Sequence, residues 1–191
     1  ISGTATQGQI LTATVSDGDG VPSSITYQWK RGSTDIGTNS ATYVLVQADV
    51  GSTITVNAQY TDDQNTAENV TAEATDAVTN VNDAGSVAIS GTATQGQTLT
   101  AAVSDGDGVP SSITYQWKRT TNSVTTDIGT NGTSATYDLV QADVGSTITV
   151  NAQYTDDQNT AENVTATAEA ATATVTNVND AGSVAISGTA T

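Results

Sequence analysis

Ile25-Thr26-Tyr27-Gln28-Trp29-Lys30-Arg31 alternates large apolar and polar residues, and the same seven residues return as Ile113-Thr114-Tyr115-Gln116-Trp117-Lys118-Arg119. An alternation of period two marks a β-strand with one buried face, since successive side chains point to opposite sides. Trp29 and Trp117 are the two tryptophans of the chain and the candidate centres of two cores. Moving outward in the first copy, Leu11, Ala13 and Val15 alternate with Thr12 and Thr14. Tyr43 and Leu45 follow the same rule, as do Ile54, Val56, Ala58 and Tyr60, and then Val70, Ala72 and Ala74. Helical spacing is sustained nowhere, and 46–50 reads as a single helical turn. Turn-forming clusters separate the runs: Gln7-Gly8, Asp17-Gly18-Asp19-Gly20, 32–39 and 62–66. Abundant Thr, Val and Ile fit pleated surfaces. About seven short strands per copy predict an all-β chain of two-sheet sandwiches.

The repeat sets the domain organisation. Ile-Ser-Gly-Thr-Ala-Thr begins at Ile1, Ile89 and Ile186, and 45–72 returns unchanged as 139–166. The expected division is a first domain at 1–79, a linker at 80–86, a second domain at 87–176 and a linker at 177–183. Residues 184–191 then read as the first strand of a truncated third copy. The second copy is longer around 120–126, 132–133 and 165–174, which predicts loops or a sheet edge there.

Composition narrows the chemistry. Twenty acids face four bases, Lys30, Arg31, Lys118 and Arg119, for a net charge of −16. Nucleic-acid binding needs Lys and Arg against phosphate, so none is expected. Cys, His, Met and Phe are absent. Thiol chemistry, the usual zinc sites and a Ser/His triad fall away with them, and the chain is read as non-catalytic. No stretch approaches the roughly 18 apolar residues of a membrane span.

Tyr27-Gln28-Trp29-Lys30-Arg31 resembles strand C of an immunoglobulin-like domain, with Trp29 as the core ring. Leu45, then Asp49-Val50-Gly51, then Ile54 and Val56 resemble the E–F corner of that fold. The disulfide and corner tyrosine of antibody domains have no counterpart. The order of Ile89-Ser90-Gly91-Thr92-Ala93, Tyr115-Gln116-Trp117, Gln141-Ala142-Asp143-Val144-Gly145 and Asn80-Val81-Asn82-Asp83-Ala84 resembles the tandem repeats of giant bacterial surface adhesins of the RTX, type I-secreted class. That resemblance implies tandem immunoglobulin-like sandwiches serving as extenders of a secreted, cell-surface protein, with neighbouring repeats as partners. A self-assembling fibre of identical chains and a glycan- or cell-binding module are the alternative readings.

The acidic loops carry the candidate site. Asp17 and Asp19 lie in the loop expected between the second and third strands of an immunoglobulin-like sandwich, and Asp62 and Asp63 in the last hairpin, at the same end. Asp105, Asp107, Asp156 and Asp157 repeat the set, and Asn82 and Asp83 of the linker arrive nearby. That linker resembles the Asn-Asp linkers of cadherins. Hard cations want several oxygen ligands together, so calcium is the expected cofactor. Asx-turn residues with solvated carboxylates are the alternative. Asp49 and Asp143 read as loop-capping residues bonded to backbone amides. Tyr27, Tyr43 and Tyr60 read as packing rings. Asn69, Asn131 and Asn163 each begin an Asn-X-Thr sequon, attributable to the abundance of Thr.

Overall fold

The computed structural model describes residues 1–129, 134–166 and 173–187, so Asn131 and its sequon lie outside it, as do 188–191 and most of the 165–174 insertion. The chain divides into two units, Ile1–Asn82 and Asp83–Thr191.

In the first unit, β1 (Ile10–Thr12) pairs antiparallel with β4 (Thr42–Val44). The second sheet has the order β3 (Thr34–Ile36), β2 (Thr26–Arg31), β5 (Ile54–Thr61), β6 (Ala67–Thr71). In the second unit, β7 (Ser86–Ser90), β8 (Thr98–Ser104) and β11 (Thr136–Asp138) form the sheet β11-β8-β7. Its partner sheet runs β10 (Val124–Asp127), β9 (Thr114–Thr121), β12 (Thr147–Thr155), β13 (Ala161–Thr165). All these strand pairs are antiparallel. The fold class is therefore all-β, with an immunoglobulin-like strand order in each unit.

The alternation of the tryptophan strand has its expected result. Trp29 and Trp117 are fully buried. Trp29 packs with Leu11, Leu45, Ile54 and Val56, and Trp117 with Leu99, Leu139, Ile148 and Val150. Each indole N–H is satisfied: Trp29 Nε1 donates to the Ser40 carbonyl at 2.8 Å and Trp117 Nε1 to Ser134 at 2.7 Å. The ring of Tyr43 lies 5.7 Å from that of Trp29, and Tyr137 lies 5.7 Å from Trp117.

Two local expectations change. The stretch 32–39 is not all turn, for β3 lies within it. Its polar composition hides an edge strand that pairs only with β2 around the two-residue turn Gly32-Ser33. In the second unit the same hairpin is two residues longer on each arm and turns at Asn122-Ser123, both at positive φ, as a tight hairpin requires. That part of the insertion thus lengthens an edge hairpin. The last strand runs over Ala67–Thr71 and stops short of Ala74. Its core contribution is taken over by Val78, 2% exposed, which bridges Val50 in parallel. The 46–50 turn is a 3₁₀ turn over Gln47–Asp49.

The linker expected at 80–86 is shared between the units. The Val81 N–H donates to Gln7 Oε1 at 3.1 Å, within the first unit, while β7 begins already at Ser86 in the second. Among the described residues no helix is long and apolar enough to cross a membrane.

Candidate metal centre

In the first unit, one carboxylate oxygen each from Asp17, Asp19 and Asp62 lies within 4.8 Å of the others. The β1–β2 loop supplies Asp17 and Asp19. Gly18 separates them, and the Asp19 N–H donates to Asp17 Oδ1 at 3.0 Å, turning both carboxylates to one side. The other Asp17 oxygen accepts the Tyr60 hydroxyl at 2.8 Å. The Asp19 amide, then Tyr60, hold the Asp17 carboxyl below its usual pKa. Asp62 opens the β5–β6 turn. Its Oδ1 accepts the N–H groups of Gln64 at 2.9 Å and Thr66 at 2.7 Å, around Asn65 at a φ of 66°.

The second unit repeats this geometry with Asp105, Asp107 and Asp156. Asp105 accepts the Asp107 N–H at 2.9 Å and the Tyr154 hydroxyl at 2.7 Å. Asp156 Oδ1 accepts Gln158 and Thr160 N–H groups, both at 2.8 Å. The Asx-turn reading and the ligand reading therefore concern different oxygens of one side chain. Oδ1 holds the turn, and Oδ2 of Asp156 is buried without a hydrogen-bond partner. Asp107 Oδ1 is buried and unpartnered in the same way. Asp107 is 3% exposed and Asp156 5%. A buried ionised oxygen with no donor is costly, whereas a cation beside it removes that cost.

Asp63, Asp83 and Asp157 lie beside the clusters. A Cβ at Gly20 would fall 2.3 Å from Asp63 Oδ2, and one at Gly108 would fall 2.4 Å from Asp157 Oδ2. Asp63 and Asp157 thus lie over the Asp-Gly-Asp-Gly turn, outside the three-carboxylate sets. The Asp83 N–H donates to Asp107 Oδ2 at 2.7 Å, and the Asp83 side chain lies against Gly106. Gly85 lies against Tyr154 and Asp105, and its N–H donates to Glu162 Oε2 at 3.3 Å. This covering explains why Asp107 is buried while its counterpart Asp19 is exposed. Asn82 is the last residue of the first unit.

Sequence reasoning assigned the tyrosines to packing and missed their hydroxyls. Period two gives the face a ring takes and says nothing of what its tip reaches. It also missed a buried polar knot below each core. Asp49 is fully buried and accepts from Tyr43 at 2.8 Å, the Val46 N–H at 2.9 Å and Arg31 at 3.2 Å. Asp143 does the same with Tyr137 at 2.8 Å, Val140 at 2.8 Å and Arg119 at 2.6 Å. Only one of three partners is a backbone amide, so each aspartate is more than a loop cap.

These tyrosines set an alkaline limit. Burial, then the bond to Asp49, pushes Tyr43 up to about 12, and burial with Asp143 does the same for Tyr137. The Tyr60 hydroxyl is raised to about 12, chiefly by its bond to Asp17. A raised phenol pKa means the folded state holds the proton more tightly than the unfolded chain. The stabilisation is full below the unfolded value of about 10 and is lost as pH rises through about 12. Urea midpoints are expected to be flat from about pH 8 to 9.5 and to fall steeply above about pH 10.5. A midpoint unchanged across that upper range would contradict the tyrosine–aspartate bonds.

No family model matches the chain, and no curated protein matches it. Among solved structures it is similar to the three N-terminal domains of the bacteriophage RB49 Highly Immunogenic Outer Capsid protein (Hoc), at 19% identity and a TM-score of 0.31. The match covers 83% of this chain and 55% of that one. A score this low adds nothing to the strand order described above.

Proposed function

We propose that the chain is a stretch of structural extender repeats from a secreted bacterial surface adhesin, non-catalytic, with calcium held at the acidic loops of each unit. The observation that supports calcium most is the pair of buried, unpartnered oxygens, Asp107 Oδ1 and Asp156 Oδ2, inside a cluster of three carboxylates. Three like charges so close repel one another unless a cation joins them. Calcium tolerates mixed carboxylate, carbonyl and water ligands, whereas magnesium demands a stricter octahedron. The extender role is supported by near-identity of the two copies, each a sandwich with its own core. Surface export and neighbouring repeats as partners follow the adhesin resemblance. In this reading calcium also fixes Asp83 to the β8–β9 loop.

Titration calorimetry with calcium chloride tests the site. Binding is expected with a Kd of roughly 10⁻⁵ to 10⁻³ M and with weaker magnesium competition. Asp107→Asn with Asp156→Asn should remove the tighter event. An absence of calcium heat at millimolar concentration would leave the loops as solvated turns.

A further inference from the structure

The strands β1 to β13 pair antiparallel, and the parallel contacts lie outside them. Among the described residues, isolated parallel bridges join Thr6 to Thr79, Val50 to Val78 and Thr94 to Thr176. In each unit they tie an early segment, by which the chain enters, to a late one, by which it leaves. In the first unit the Thr79 N–H donates to the Ala5 carbonyl at 2.9 Å, and the Gln7 N–H to the Thr79 carbonyl at 3.0 Å. In the second, the Thr176 N–H donates to the Ala93 carbonyl and the Gln95 N–H to the Thr176 carbonyl, both at 2.9 Å. Side chains fasten the same seam. The Thr94 and Thr176 hydroxyls are bonded at 2.9 Å, and Thr176 Oγ1 donates to the Ala93 carbonyl at 3.2 Å. Gln95 Oε1 accepts the Val178 N–H at 3.2 Å, and Gln95 Nε2 donates to Asp180 Oδ2 at 3.3 Å. In the first unit Thr6 and Thr79 share the same hydroxyl bond at 2.8 Å, and Thr79 Oγ1 donates to the Ala5 carbonyl at 3.2 Å.

The leaving segment is held on its other side as well. The Val78 N–H donates to the Ser52 carbonyl at 2.9 Å, and the Val78 carbonyl accepts the Gly51 N–H at 2.8 Å. Val175 does the same with Ser146 at 2.9 Å and Gly145 at 3.0 Å. Val78 and Val175 are core residues, so their side chains anchor this segment. Direction decides how such a seam fails. Tension along the chain draws an entering segment toward lower residue numbers and a leaving segment toward higher ones. In parallel neighbours those directions are opposite along a shared axis. The segments must slide past one another, and every bond between them carries load at once. Antiparallel neighbours loaded in the same way are pulled from one shared end and open bond by bond. A single hydrogen bond contributes little at equilibrium, so the resistance comes from loading several together.

We propose that each unit is a load-bearing link, whose resistance to tension lies in the shear of 5–7 against 78–81 and of 93–95 against 175–178. The bonds of the seam owe nothing to calcium. The use of such a link rests on the extender reading, in which the repeats transmit pull along the chain.

Single-molecule pulling on the full chain in calcium-free buffer tests the link in the second unit. The chain has no cysteine, so handles attach at introduced ones. Thr92→Cys with Asn179→Cys loads the two segments from opposite ends and shears them. Gln97→Cys with Asn179→Cys loads them from the same end and unzips them. All three positions are exposed. At one loading rate the first geometry is expected to need at least about twice the force of the second, because its bonds fail together. Gln95→Pro removes the N–H bonded to Thr176 and both side-chain bonds of Gln95, and should lower the first force toward the second. Equal forces in the two geometries overturn the proposal and leave the extender reading as that of a passive spacer. So does a Gln95→Pro chain, folded by its tryptophan fluorescence, that resists the first geometry as the wild type does.

Discussion

Replacing Arg119 with methionine is expected to lower the stability of the second unit by about 3 kcal/mol, the lower end of the loss on breaking a buried ion pair. Asp143 is fully buried, and the Arg119 side chain beside it is 23% exposed. Removing the cation leaves the carboxylate with only the Tyr137 hydroxyl and the Val140 N–H, in a site closed to water. The converse change is milder. Asp143→Asn keeps an oxygen for those two donors, and the partly exposed Arg119 reaches water, so a loss of about 1 kcal/mol is expected. The double variant should resemble Asp143→Asn alone, since the stranded charge is what costs stability. Urea unfolding followed by tryptophan fluorescence measures this, with Trp29→Phe in the background so that Trp117 reports alone. A loss below about 1 kcal/mol for Arg119→Met would mean that the hydroxyl and amide suffice to hold the charge.

That knot was within reach of the sequence. Arg31 and Arg119 follow their tryptophans by two positions, so strand parity aims them at the same face. Their charge argued for solvent, and only a buried acid elsewhere resolves the conflict. Parity likewise gave Leu11, Ala13, Trp29, Leu45, Ile54 and Val56, because each packs into the core of the first unit. It failed where the pattern is too polar or too short, as in β3, and where a residue enters the core from irregular backbone, as Val78 does. The acidic clusters followed from loop order in a sandwich, which brings the β1–β2 loop and the β5–β6 turn together. What no local reading gives is the difference between Asp19 and Asp107. Their flanking sequences are identical, yet one is exposed and the other buried. The difference comes from Asp83 and Gly85, more than twenty residues away in sequence, lying over the second loop.

Calcium should therefore stabilise the second unit more than the first. Ligand that binds only the folded state stabilises by RT ln(1 + [L]/Kd), about 2.7 kcal/mol at a hundredfold excess over Kd. For a domain of this size that corresponds to a rise in Tm of about 10 °C or more. The larger shift belongs to the second unit because its cluster gains on two counts. The cation offsets repulsion among three carboxylates, as in the first unit, and it also satisfies Asp107 Oδ1 and Asp156 Oδ2, which are buried without a hydrogen-bond partner. Calorimetric scans with calcium and with chelator should show the two transitions moving by unequal amounts. Asp156→Asn should abolish the larger shift and raise the chelated Tm of that unit, since a neutral amide relieves the repulsion while keeping an oxygen for Gln158 and Thr160. Asp62→Asn should abolish only the smaller one. Equal shifts in the two units would mean that Asp83 and Gly85 contribute nothing to the site. An Asp156→Asn variant that still gains the full shift would place the cation elsewhere.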